Sequence, residues 1–397
     1  MKTLYAFLAS IFGCFLTISA EIPDKAIPFI LDSHLYIQGV VADSIPVSII
    51  YDTGADRLYL DKDYMDLSSF GKLPYRKGKA KMGGAGNDGL QTIPIIIDPI
   101  PLQMGNVVYK ENITPIINLR EILGCHTDGM IGNNAFFEKP LLVNYSDGYL
   151  LSLDSITAPV LEGYTKLPAH FNDNRIDIEC ELKIDSVQSV KGLFRLDLGC
   201  GSTIILTNAA RKVLDLSGKP QAQCYYSNMG VGGEGTDINF RADSFKFLDE
   251  LFNIVLSASY NTDGALSDRT HVGIIGNEIL SHYDLIIDAP HGALYARRNN
   301  ISDNSYQRSS KIQMGYIDRT DITDGWIVSS MYEGGIAQQA GFEIGDEILS
   351  INGRPVNEIS WEEQRKGLGL NGLTIYEVKK KNGEIVTYTL NIDKEII

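Results

Sequence analysis

The sequence repeats itself. Residues 47–55 read Val-Ser-Ile-Ile-Tyr-Asp-Thr-Gly-Ala and residues 192–200 read Gly-Leu-Phe-Arg-Leu-Asp-Leu-Gly-Cys, each an apolar run entering Asp-x-Gly. A strand-like segment precedes each, at 34–41 and 176–184, so each Asp falls at the end of a hairpin's return strand. Met82-Gly83-Gly84-Ala85-Gly86 and Met229-Gly230-Val231-Gly232-Gly233 begin 30 and 32 residues past their Asp. Gly129-Met130-Ile131-Gly132-Asn133 and Gly273-Ile274-Ile275-Gly276-Asn277 place their second glycine 80 and 79 residues past it. Twelve residues beyond that glycine stand Asn144 and Asp288, and sixteen beyond it Gly148 and Gly292, each at the turn of a short apolar hairpin. Landmarks in one order at nearly one spacing require a duplicated β unit.

The remaining segments frame the repeat. Residues 155–174, with Pro159, Gly163 and Pro168, read as a link between two lobes, and the polar stretch 298–310 as a second linker. From about 311 the pattern changes. Gly325-Trp326-Ile327-Val328-Ser329 is a strand, residues 334–341 a short helix with a glycine stop, and residues 345–353 a strand closed by Asn-Gly. At the other end, Lys2 precedes an apolar run from 4 to 16, with Thr17-Ile18-Ser19-Ala20 before Glu21, the order of a secretory signal peptide. Acylation of Cys14 after Ile11-Phe12-Gly13 is the alternative, and the apolar Phe15-Leu16 argue against it. The expected division is a signal peptide over 1–20, lobes over 21–155 and 175–298, links over 156–174 and 299–310, and a module over 311–397.

Composition narrows the function. With 35 Lys+Arg against 50 Asp+Glu the formal charge is −15, and the resulting field repels nucleic acid. The acidic surplus itself reads as a solvated surface. Beyond Cys14, Cys125, Cys180, Cys200 and Cys224 form no C-x-x-C pair, and Cys180 falls on the apolar face of a period-2 strand as a small core residue. The sequence has no Gly-x-Ser-x-Gly, no His-Glu-x-x-His and no Gly-Lys-[Ser/Thr], so no metal and no cofactor is expected. Its six histidines read as scattered surface or core residues.

Two half-sites that each place an Asp at a strand end bring Asp52 and Asp197 face to face. Like charges about 3 Å apart cannot both ionise, so one carboxyl stays protonated while its partner acts as a base. Such a pair activates a water against a peptide carbonyl and protonates the developing oxyanion. Gly54 and Gly199 let the loops approach, and Gly132 and Gly276 suit a strand passing tightly beneath them. The segments with Met82, Gly83 and Gly84, and with Met229, Gly230 and Gly232, read as tips of glycine-rich hairpins able to close over a peptide.

On these residues, Ile-Ile-Tyr-Asp-Thr-Gly-Ala followed by Met-Ile-Gly-Asn, the span from about 28 to 298 resembles the pepsin and retropepsin type of aspartic peptidase, particularly bacterial two-lobed members. The tail, through Gly-Gly-Ile-Ala-Gln-Gln-Ala-Gly-Phe-Glu-Ile-Gly-Asp-Glu-Ile-Leu-Ser-Ile-Asn-Gly, resembles a PDZ domain of the permuted bacterial kind. The resemblance implies an all-β bilobal aspartic-protease fold followed by a small α+β PDZ domain, with Asp52 and Asp197 as catalytic dyad. Thr53, Gly54, Leu198, Gly199, Gly132 and Gly276 support the pair, and flaps lie at 82–86 and 229–233.

One departure matters. The family usually has Thr or Ser after the Asp, bonding across to the opposite loop; here the first lobe has Thr53 and the second Leu198, with Ser202 and Thr203 as candidates to compensate. Two functions follow. One is an exported aspartic endopeptidase acting as a monomer on protein or peptide substrates, and the other an inactive protease-fold protein that binds peptide C-termini through its PDZ domain. In either, Gly315, Tyr316 and Ile317, ahead of the module's first strand, are the candidate peptide-binding segment.

Overall fold

The computed structural model describes residues 22–84, 86–226, 233–267 and 270–397. The expected signal peptide, and Met229, Gly230 and Gly232 of the second expected flap, lie outside the described residues. The chain is mostly β, arranged in two extended sheets.

The sequence repeat reappears in the backbone hydrogen bonds. In the first half, Ile45–Tyr51 runs antiparallel to His34–Val41 and parallel to Gly129–Ile131, which lies antiparallel to Leu58–Asp61. In the second half, Ser189–Leu196 runs antiparallel to Arg175–Lys183 and parallel to Gly273–Ile275, which lies antiparallel to Ile204–Leu206. Ile49, Ile50 and Tyr51 are consecutive yet all buried: Ile49 and Tyr51 pack into the core, and Ile50 faces the other side of the sheet, which is also covered.

The halves meet through a second repeated feature. Leu141–Asn144 and Tyr283–Asp288 each open a hairpin whose turn contains a left-handed glycine, Gly148 at φ 72° and Gly292 at φ 60°. These two strands pair antiparallel with each other, Leu141 opposite Ile287, and one hydrophobic cluster continues through both halves.

The segment 156–174, expected to be only a link, carries two strands. Thr165–Leu167 pairs with Ala293–Arg298, and Ala169–Asn172 with Arg175–Lys183. Both are three or four residues long and partly exposed, too short for a period to be read from sequence, although Ala169 and Phe171 do alternate with His170 and Asn172. Cys180 is half-buried against the core rather than fully inside it.

The C-terminal module has its own core around Trp326, Phe342 and Tyr376. Trp326–Tyr332 leads to the helix Ile336–Ala340, stopped by Gly341 at φ 103°, and then to Glu347–Ile351 and a turn at Asn352 and Gly353 with φ 51° and 78°. A capping box of Ser360 and Glu363 starts the helix Trp361–Arg365. One expectation is corrected here: Met314–Asp318 does not precede the first strand but is itself a strand, antiparallel to Trp326–Tyr332. It pairs only along that side, through a register shift at Gly315 and Tyr316, so its glycine reads locally as a turn although the partner strand holds it extended.

The module is bolted to both halves. Gln221–Tyr225 pairs with Trp326–Tyr332, Tyr225 opposite Met331, so the sheet of the second half continues into the module. On the other side Arg120 donates to Asp321 at 2.8 Å, Arg319 to Asp63, and the Trp361 indole N–H to Asp32 at 2.8 Å.

The crossing beneath the first Asp loop tolerates no side chain, because a Cβ on Gly132 would lie 2.5 Å from the backbone of Ala55 and Asp56. We expect Gly132→Ala to destabilise the protein by about 1–3 kcal/mol in urea unfolding. Gly218→Ala, where a Cβ meets nothing within 4 Å, should stay near the wild-type midpoint.

Candidate active site

Each Asp sits where its strand leaves the sheet, and the same bonds hold both. Asp52 N–H donates to Ile131 O and Asp197 N–H to Ile275 O, each at 3.0 Å. Ala55 N–H turns back to Asp52 O, and Cys200 N–H to Asp197 O, each at 3.2 Å. Gly54 N–H then donates to Asp52 Oδ1 at 2.6 Å, and Gly199 N–H to Asp197 Oδ1 at 2.9 Å. The glycines are required by proximity. A Cβ on Gly199 would lie 2.2 Å from Asp52 Cγ, and one on Gly54 3.0 Å from Asp197 Oδ2.

The two carboxyls meet across the loops: the Cβ position of Gly54 lies 2.9 Å from Asp52 Oδ1 and 3.0 Å from Asp197 Oδ2. Burial raises both, with the charge of Asp197 adding to the rise at Asp52. The pair therefore holds one proton at a pH where ordinary carboxyls have lost theirs. One member can accept a proton while the other donates one, which is the requirement for activating a water.

Thr53 is the bond between the loops. Its hydroxyl, fully buried, donates to Leu196 O at 2.8 Å and accepts from Leu198 N–H at 2.9 Å. Leu198 returns no such bond; its side chain is buried in the core. Thr203 does not compensate, since its hydroxyl donates to Val255 O within its own half. The second loop is steadied instead by Asn277, whose amide donates to Leu198 O at 2.7 Å and Ser33 O at 2.8 Å. Asn133 acts likewise on Thr53 O at 2.9 Å. Both Asn residues stand next to the motif glycines in sequence, and their nearly equal spacing from each Asp, 81 and 80 residues, is the signal that marks them.

Around the pair lies a cleft of about 830 Å³. Its roof is the hairpin of Lys77–Met82 and Gln91–Ile96, with Gly83 and Gly84 just past the first strand. The tip crosses to the other half: Ala265 N–H donates to Gly84 O at 2.9 Å, and Thr262 N–H to Asn87 Oδ1 at 2.7 Å. Met82 packs on the side with Ala55, Tyr59 and Ile117.

Three groups in the cleft escape sequence reasoning because distant segments supply them. His34, lowered to about 4 by burial, hydrogen-bonds the backbone of Asp32 and Gly199. Arg175 and Arg195 reach in from the second half, and Ser329 and Ser330 from the C-terminal module. Cys125, Cys180 and Cys200 are free thiols, and burial beside Asp197 pushes the Cys200 thiol up. Among the described residues one mixed donor group, Cys125, His126 and Asp318, lies within 4.8 Å. Asp318 already accepts from Thr320 and from Gln364, so the group is a polar seam between first half and module.

The module carries its own groove, between Met314–Asp318 and Trp361–Arg365. Tyr316 stacks on Trp326 at 5.2 Å there, and Gln364, Leu368, Leu370 and Ile392 complete the lining. Ile317 lies in register with Ile327, and Gly315 faces Ser330, whose Oγ a Cβ would meet at 2.3 Å. Residues 327–364 match the PDZ domain. The match begins in Trp326–Tyr332 and ends in the helix Trp361–Arg365, so it covers one wall of the PDZ groove, and Gly315, Tyr316 and Ile317 precede it. A search of curated proteins finds no match to the chain. PDZ domains bind extended peptides by adding them as a strand. The Met314–Asp318 strand leaves one side unpaired among the described strands.

Removing the Thr53 hydroxyl leaves Leu196 O and Leu198 N–H buried without it. We expect Thr53→Val to cost about 1–3 kcal/mol in chemical unfolding. The acidic pair gives a second expectation. Its raised pKa means that the folded state keeps a proton above pH ~4 that the unfolded chain has released, so this contribution to stability is full in acid and is lost as pH rises through the pair's titration. Asp52→Asn should therefore gain melting temperature relative to wild type at pH 7, by roughly 2–4 °C for each kcal/mol relieved, and show no gain at pH 3.

Proposed function

We propose that this chain is an exported aspartic endopeptidase with an all-β bilobal aspartic-protease fold, Asp52 and Asp197 being its dyad and the PDZ domain a peptide-recognition module. The observation that carries the reading is the close approach of two buried carboxyls presented by equivalent loops in one cleft. Both loops belong to one chain, so a monomer suffices.

In this reading a water bound at the pair loses its proton to the ionised carboxylate as its oxygen attacks the peptide carbonyl. The protonated carboxyl donates to the carbonyl oxygen as it gains charge, and the proton taken from water passes to the leaving amine when the C–N bond breaks. Gly54 N–H and Gly199 N–H hold one oxygen of each carboxyl, which keeps both at the angle the water needs. The roof formed at Gly83 and Gly84 excludes bulk water above the substrate. His34 stays neutral down to about pH 4, so it adds no charge beside the pair over most of the acidic range.

Leu198 favours a second reading, a protease fold without turnover that works through its PDZ groove. The two differ in one assay. Peptide-library cleavage between pH 3 and 7, with a transition-state-mimicking aspartic protease inhibitor as control, should show inhibitor-sensitive cutting. Asp52→Asn and Asp197→Asn should each lower it by about 10³-fold or more while the far-ultraviolet circular dichroism is unchanged. Peptide binding with no cleavage at any pH selects the second reading, and cleavage that survives either substitution removes the dyad.

A further inference from the structure

The cleft contains two guanidinium groups in different states. Arg195 is committed, with its Nε 3.0 Å from Asp177 Oδ1 and an Nη 3.3 Å from Oδ2. Arg175 is not. Its Nη1 is buried and finds no hydrogen-bond partner among the described residues, and none of their ion pairs includes it. Its charge nevertheless lies close enough to Asp52, Asp56 and Asp197 to lower each of them.

Its position is built rather than incidental. Arg175 follows the turn Asp173-Asn174, whose residues have φ 47° and 60°, and opposes Asn172 in the hairpin. The first half grips that turn: the Asn133 amide donates to Asn174 O, and the Asn174 amide to Asn134 Oδ1. The Asn133 that steadies the Thr53 loop thus also fixes the start of the strand carrying Arg175. A guanidinium that lines the cleft beside the reacting carboxyls, with an N–H that finds no acceptor, lacks one partner: an anionic oxygen with planar geometry. The carboxyl pair does not fill the role: the Oδ1 of each accepts from the Gly54 or Gly199 amide, and Arg175 Nη1 bonds neither.

We propose that Arg175 forms a carboxylate-binding subsite of the cleft, which selects peptides carrying an Asp or Glu side chain, or a free C-terminal carboxylate, next to the bond held at the Asp52–Asp197 pair. The proposal rests on the endopeptidase reading for its kinetic test and on binding alone for its second. On a chain with a formal charge of −15 such peptides are repelled at long range, so a fixed local cation is what admits them. Arg suits this better than Lys because its fork pairs both carboxylate oxygens at once.

The full chain would be given matched peptides that differ by Glu against Gln at each position flanking the cut, and by free acid against amide at the C-terminus. Wild type should prefer one acidic member by at least ~10-fold in kcat/KM, and the position of the preference tells side chain from chain end. Arg175→Gln should bring the acid-to-neutral ratio close to one, and Arg175→Glu should favour a Lys peptide at that position. Equal losses on all peptides, with a shifted pH–rate profile, would mean that Arg175 only adjusts the pair and would overturn the subsite. If wild type cleaves nothing, the endopeptidase reading fails, yet calorimetric binding of the same Glu and Gln peptides still decides the proposal. Indistinguishable affinities for Glu and Gln peptides sink it, and an acid preference removed by Arg175→Gln sustains it.

Discussion

Two carboxyls that share a proton are the constraint around which this molecule is arranged. Their closeness is unfavourable for two charges, and burial makes it more so, so the backbone must hold them. The loops do this with glycine amides on one oxygen of each carboxyl, with glycines where a Cβ would occupy the partner's space, and with Thr53 bonded to both sides of the opposite loop. Beneath them, the strands Gly129–Ile131 and Gly273–Ile275 fix the Asp backbones through equal hydrogen bonds.

The symmetry is incomplete, and the break is informative. Leu198 cannot return the bond that Thr53 makes, so the inter-loop grip is carried by one hydroxyl instead of two. The structure makes good the difference with side-chain amides. Asn277 spans Leu198 O and Ser33 O, Tyr145 donates to its Oδ1 at 2.6 Å, and Tyr51 donates to Asn133 Oδ1 at 3.0 Å. Buried amides satisfied on both ends are rigid props, which is why a leucine in the second loop coexists with closely matched backbone geometry. The PDZ domain is likewise part of the same body. Its strand Trp326–Tyr332 pairs with Gln221–Tyr225 and sends Ser329 and Ser330 into the cleft. The strand Met314–Asp318 paired beside it lines the module's groove through Tyr316. Groove and cleft therefore share one strand pair.

Much of this was legible before any coordinates. The repeated Asp-x-Gly and Ile-Gly-Asn spacings mark both strand ends, both crossings and both hairpin turns, because each depends on local residue types in a fixed order. The short strands of 165–172 were not legible, since half-exposed strands of three or four residues carry no period. Nor was the strand nature of 314–318, where extension is imposed by a partner a dozen residues on. Arg175 and His34 were invisible as cleft residues for the same reason: nothing in the neighbouring sequence distinguishes an arginine in a hairpin that points at a distant loop from one that faces water.

The sequence by itself determined the duplication, the two Asp loops, the glycines that let them meet, and the presence of a distinct C-terminal PDZ module. These follow from short-range chemistry repeated at constant spacing. Only the tertiary structure decided that the carboxyls meet across the two loops, that Thr53 and the two Asn side chains replace a missing hydroxyl, and that the PDZ domain forms a wall of the cleft. Those outcomes rest on contacts between residues separated by tens to hundreds of positions, and such contacts are set by how packed sheets close on one another rather than by any local pattern.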